Sequence, residues 1–223
     1  MLGLDLTRLI YVIPAIVIAL TFHEYAHARV AYAFGDPTAK EARRMTLNPL
    51  RHLDVMGTLL MILVGFGWAK PVPINPWYFG EHRKRKVLWV SLAGPVANLL
   101  QAVVGTCGLA LILRFASGST STVLQYVFQL LIYYVQINLV LAVFNLIPVP
   151  PLDGSKILGA LLPDRQFNLV LTLERYGFLI LFLLCFLPNI LGWLGLPEID
   201  ILGTIIRVPA QWMMDRLLDW IVF

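Results

Sequence analysis

The chain has 223 residues, of which 59% are hydrophobic and only 13% charged, and its formal net charge is +4. A soluble domain carries about a quarter charged residues, so this composition excludes an ordinary soluble enzyme, and so modest a charge makes no case for nucleic acid. Cys107 and Cys185 both sit in apolar runs and read as buried packing residues, not as a disulfide framework or a metal cluster.

Several apolar runs reach the roughly 20 residues that a spanning helix needs. The first helix is expected from about Arg8 to Phe34. It stops at Gly35-Asp36-Pro37, because proline disfavours helix in the residue before it. Its apolar stretch continues straight into charged sequence, so it reads as a retained helix and not a cleaved signal peptide. Residues 56–69 are apolar but short and glycine-rich, and Pro71-Val72-Pro73-Ile74-Asn75-Pro76 follows them. Too short to span and too rich in proline for helix, this region is expected to form a short re-entrant β-hairpin.

A second span is expected from Val87 to Leu113, directly after the basic run Arg83-Lys84-Arg85-Lys86, and a third from Val123 to Leu146. Pro148-Val149-Pro150-Pro151-Leu152-Asp153-Gly154 then breaks the helix, since proline lacks the N–H donor and clashes with the preceding turn. A short helix over Ser155–Leu162 and a fourth span from Glu174 to about Leu187 follow. Residues 201–223 mix apolar positions with Arg207, Asp215, Arg216 and Asp219, and carry Trp212 and Trp220, a pattern suited to an interfacial helix. The expected fold is therefore an all-α polytopic membrane protein. It has about four to six membrane helices, a re-entrant β-hairpin and a broken helix. Residues 1–162 form the core, and 163–223 add a membrane helix and the C-terminal interfacial helix. The basic residues cluster between Asp36 and Lys86, which places that loop in the cytoplasm and the N-terminus outside.

His23-Glu24-Tyr25-Ala26-His27 carries the chemistry. Histidines at i and i+4 lie on one helix face and can grip one cation. Zinc accepts imidazole nitrogen and keeps a position open for water when three protein groups bind it. Glu24 stands beside that position, where it can take a proton from the water and pass it to the leaving amine. His23 lies about 21 Å along the helix from Leu9, well inside a hydrocarbon core about 30 Å thick. Ionisable groups at that depth are costly and are functional by default. The third ligand candidate is Asp153, at the broken helix; the alternative is that it caps the short helix that follows. Asn98 and Asn145 lie in spans, either as interhelical glue or as supports of the site. His52 with Asp54 reads as a solvated pair in the basic loop.

Three motifs together resemble the site-2 protease family of intramembrane metalloproteases. They are Phe22-His23-Glu24-Tyr25-Ala26-His27, Ser91-Leu92-Ala93-Gly94-Pro95-Val96-Ala97-Asn98, and Asn145-Leu146-Ile147-Pro148 leading to Pro151-Leu152-Asp153-Gly154. The resemblance covers about residues 8 to 162 and matches the compact members, which lack extra soluble domains. It implies one zinc ion held by His23, His27 and Asp153, Glu24 as the group that activates water, and supporting roles for Asn98 and Asn145. It also implies membrane-anchored protein substrates and a site in a multi-pass cell-membrane protein, which helix arithmetic puts nearer the cytoplasmic side. A zinc-binding transporter and a catalytically idle scaffold are the competing readings; a lone ligand cluster, the absence of repeats and the intact Glu24 speak against them.

Overall fold

The computed structural model describes residues 6–57, 67–116, 120–163, 167–197 and 199–222. Its helices are α1 (Leu6–Ala33), α2 (Thr38–Glu41), α3 (Arg83–Ala116), α4 (Thr122–Leu146), α5 (Asp153–Leu161), α6 (Phe167–Trp193) and α7 (Ile201–Val222). Among the described residues, four stretches are long and apolar enough to cross a membrane: Arg8–Ala33, Arg83–Ala116, Thr122–Leu146 and Arg175–Trp193.

α1, α3 and α4 form the centre of the molecule. Where α1 meets its neighbours it presents Ala15, Ala19, Ala28 and Ala31, all fully buried. Small residues let backbones approach closely, which is how helices associate when no hydrophobic force separates protein from lipid. α3 and α4 meet on Ala102, Leu109, Val135 and Leu139, and Ala210 of α7 closes the same cluster. A second cluster joins Leu152, Leu181 of α6 and Leu202 of α7. α7 thus lays an apolar stripe on the bundle, while its Arg207 and Arg216, on opposite flanks of the stripe, are exposed.

α3 begins at Arg83, four residues before the expected Val87. The basic run joins the helix because two of its ammonium groups find acceptors: Lys84 Nζ donates to the Leu162 carbonyl at 3.0 Å and Lys86 Nζ to that of Phe79 at 2.7 Å. α5 begins at Asp153 itself, two residues earlier than expected. Leu152 stands at its N-cap position and no side chain caps the helix there, so the Asp153 carboxylate is not spent on capping.

The described residues contain no β-strand, only one antiparallel bridge between Leu53 and Ala69. Residues 58–66, on which the turn of the expected hairpin falls, lie outside the described residues. The flank that follows, residues 67–75, is not helical and ends in a 3-10 turn at Pro76–Phe79; the prolines after Lys70, Val72 and Asn75 favour extended backbone there.

Candidate metal centre

His23 and His27 stand one turn apart on α1, with ring centroids 4.7 Å apart and planes at 83°. Their Nε2 atoms lie 3.1 Å from each other. Asp153 arrives from α5 and places Oδ2 2.9 Å from His27 Nε2 and 3.2 Å from His23 Nε2. All three residues are at most 6% exposed.

The proline segment explains how Asp153 gets there. Residues 147–152 turn through Val149 N–H to the Ile147 carbonyl at 2.8 Å and Leu152 N–H to the Val149 carbonyl at 3.0 Å. The chain then doubles back onto the end of α4 so closely that a Cβ on Gly154 would press into the carbonyls of Leu146 and Ile147. Lys156, one turn along α5, holds the other carboxylate oxygen: its Nζ lies 3.3 Å from Oδ1. Oδ1 therefore faces a cation and Oδ2 faces the imidazoles.

The far side of each imidazole is also fixed. His27 Nδ1 lies 2.7 Å from the Val90 carbonyl, which can only accept, so Nδ1 must donate. His23 Nδ1 lies 2.6 Å from Asn98 Oδ1. Asn98 Nδ2 donates to Asn138 Oδ1 at 2.8 Å, and Asn138 Nδ2 donates to the Tyr134 carbonyl at 2.9 Å. Because that last carbonyl can only accept, each amide in the series is oriented, and His23 Nδ1 is also the donor. A neutral imidazole that donates from Nδ1 presents a lone pair at Nε2.

Two lone pairs and a carboxylate oxygen thus converge with no donor between them. Such a trio is repulsive unless a cation sits among its members. Ligands bound at about 2.0–2.1 Å in a tetrahedral zinc site lie about 3.3 Å from one another, and the separations here fall within a few tenths of that value. Counted as carboxylates, Asp153 and Glu24 also bring two negative charges that one divalent ion would balance. The donor set therefore fits zinc.

Glu24, 9% exposed, lies between the histidines in sequence and points to the segment 67–75, where its Oε2 accepts the Val72 N–H at 2.8 Å. Of the two asparagines singled out from sequence, Asn98 stands behind His23, whereas Asn145 Nδ2 donates to the Leu141 carbonyl of its own helix at 3.0 Å. His52 is not solvated: it is 1% exposed, and its Nε2 donates to the Thr46 carbonyl at 2.7 Å. Asp54 accepts the Gly57 N–H at 2.8 Å. Sequence reasoning missed Asn138, Lys156 and the Val72 N–H. Asn138 left a signal that could have found it, since a buried amide in an apolar span must have a partner.

Other proteins are similar to this chain along most of its length. The model of peptidase family M50 matches residues 11–187. "Putative zinc metalloprotease YwhC" of Bacillus subtilis (strain 168) is 42% identical over 178 residues, 80% of this chain and 81% of that protein. "Putative zinc metalloprotease Rip2" of Mycolicibacterium smegmatis is 30% identical over 189 residues, 82% of this chain and 70% of that one. "Putative zinc metalloprotease MJ0611" of Methanocaldococcus jannaschii is 31% identical over 154 residues, 67% of this chain and 71% of that protein. No solved structure matches the chain. With its four apolar helices, it is a multi-pass membrane metalloprotease. It belongs to peptidase family M50, the site-2 protease family of zinc enzymes.

Gly94 of α3 is where the histidines and the second motif touch. A Cβ there would collide with Cε1 of His23 and Nε2 of His27. Gly94→Ala is expected to destabilise the protein by about 1–3 kcal/mol through overpacking, read as a lowered midpoint of thermal unfolding in detergent.

Proposed function

We propose that this protein is an intramembrane zinc metalloendopeptidase that hydrolyses peptide bonds of membrane-anchored proteins. The observation that carries the reading is the convergence of His23 Nε2, His27 Nε2 and Asp153 Oδ2 within 4.8 Å of one another, with Glu24 beside them. These three atoms would hold the ion. When bound, zinc supplies a Lewis acid that polarises the scissile carbonyl and makes water a stronger nucleophile near neutral pH.

The chain's own residues supply the rest. Glu24 receives the proton from the attacking water at Oε1, because Oε2 is held by Val72 N–H. It then delivers that proton to the nitrogen of the leaving amine. Val90 O and the Asn98–Asn138 pair keep both Nδ1 protons in place, so that each Nε2 stays free to bind. Asn145 is proposed to support the site only through its helix end. A helical substrate must unwind before its amide can be attacked, and residues 67–75 are a non-helical stretch against which an unwound segment could align by strand addition.

Residues 1–162 are the proposed protease core, with 163–223 an added membrane helix and a C-terminal interfacial helix. The site is proposed to lie nearer the cytoplasmic face: His27 is about 9 Å of helix from Ala33 but about 28 Å from Arg8.

Three outcomes are expected. Glu24→Gln should lower cleavage of a co-expressed membrane substrate by about 100-fold or more, while metal analysis still finds one zinc per chain; undiminished cleavage would remove Glu24 from the mechanism. Asn138→Leu should weaken zinc retention against a competing chelator by about 10–100-fold, because it breaks the series behind His23. Cysteines introduced at Glu81 and Thr120, at opposite ends of α3, should differ in labelling by an impermeant reagent on sealed cells, with only position 120 reacting.

A further inference from the structure

Outside the metal centre, three more ionisable side chains are buried among the described residues: Asp36 at 0%, Arg44 at 8% and His52 at 1% exposed. They come from one stretch after α1, and the side chains of Asp36 and Arg44 and the backbone of His52 act on one target. Asp36 Oδ2 accepts the Asn75 N–H at 2.7 Å, while its Oδ1 accepts both the Thr38 N–H at 3.0 Å and the Thr38 hydroxyl. Arg44 Nη2 donates to the Lys70 carbonyl at 2.6 Å. The His52 carbonyl accepts the Lys70 N–H at 2.8 Å. Segment 70–75 is therefore tied at both ends, Lys70 by its two backbone groups and Asn75 by its N–H.

The composition of the segment makes those ties consequential. It reads Lys70-Pro71-Val72-Pro73-Ile74-Asn75-Pro76. Proline fixes its own φ near −65° and restricts the residue before it to extended backbone. Lys70, Val72 and Asn75 each precede a proline, so the segment is stiff along its length. Displacement of one end is then transmitted to Val72 instead of being absorbed by bond rotation. Between Pro71 and Pro73, Val72 supplies the sole N–H, and that N–H is the one bonded to Glu24.

We propose that Asp36 and Arg44 are positioning residues for peptide hydrolysis, which clamp the two ends of a proline-stiffened strap so that the Val72 N–H orients the Glu24 carboxylate. The inference rests on the protease reading above and extends it to residues beyond the metal centre. It also gives the buried side chains of Asp36 and Arg44 a shared task, holding the strap.

Amide hydrogen exchange on the full-length protein in detergent tests the clamp without any substrate. Asp36→Ala should raise exchange in peptides covering 70–75 at least 10-fold and leave α1 peptides protected. Unchanged exchange at 70–75 overturns the proposal. Should Asp36→Ala also deprotect α1, Arg44→Gln, which removes only the Lys70 carbonyl contact, decides by the same criterion. Kinetics on fluorescein-labelled casein and on a membrane-anchored reporter that wild type cleaves supply the second readout. Asp36→Asn and Arg44→Gln should lower kcat at least 10-fold with KM within about threefold and one zinc per chain retained, and Val72→Pro, which removes the N–H itself, should reproduce this. Wild-type kcat in Asp36→Asn and Arg44→Gln, with Glu24→Gln inactive, defeats the strap alone; active Glu24→Gln defeats the protease mechanism beneath it.

Discussion

A backbone carbonyl can accept a hydrogen bond and cannot donate one, and the arrangement of the site follows from where two such groups lie. The carbonyls of Val90 and Tyr134 each close a route that begins at an imidazole. One route is direct, and the other passes through Asn98 and Asn138. In water these directions would be lost to exchange with solvent. Among apolar helices nothing competes, so the orientation imposed at one end persists to the other. The imidazoles are left with their lone pairs inward, facing a carboxylate, a geometry that a bound metal cation satisfies.

Close approach is the second condition. The histidines can lie against α3 because Gly94 has no side chain to displace them. α5 can deliver Asp153 because Gly154 lets its first turn rest on the carbonyls that end α4. The glycines and the ligands are therefore parts of one arrangement: the ligands contribute the chemistry, and the glycines set the distance at which it operates. The same holds for the prolines, which deny helix to residues 147–152 and stiffen 70–76. Their common effect is to hold irregular backbone beside a polar site, where backbone groups without helix partners can be satisfied by protein.

Much of this was legible in the sequence, for reasons of periodicity. A histidine pair four residues apart announces itself on any helix, and spans announce themselves by length. Helix ends were less legible, because they are decided by tertiary contacts: α3 starts at Arg83 owing to the acceptors that Lys84 and Lys86 find elsewhere in the chain. Asp153 could be read either as a cap or as a ligand, since spacing is silent about which way a carboxylate turns. His52 looked solvated because its neighbours are charged, yet its partner is a carbonyl six residues away and its position is interior. Asn138 was passed over because it pairs across 40 residues with Asn98, a separation that carries no local pattern.

α3 has 34 residues, which makes it about 51 Å long, against a hydrocarbon layer of about 30 Å. Some of the excess must project into the aqueous phase, and the rest must be taken up as tilt. The helix is anchored at its basic end by the bonds of Lys84 and Lys86, and within its first half it carries the Val90 carbonyl, Gly94 and Asn98. The surface against which both imidazoles rest is thus mounted on a lever whose angle depends on the host lipids. Because α3 is packed against α1, which carries the histidines, any tilt that a thinner bilayer imposes on α3 would have to be shared by α1 for the backing of the histidines to stay in place.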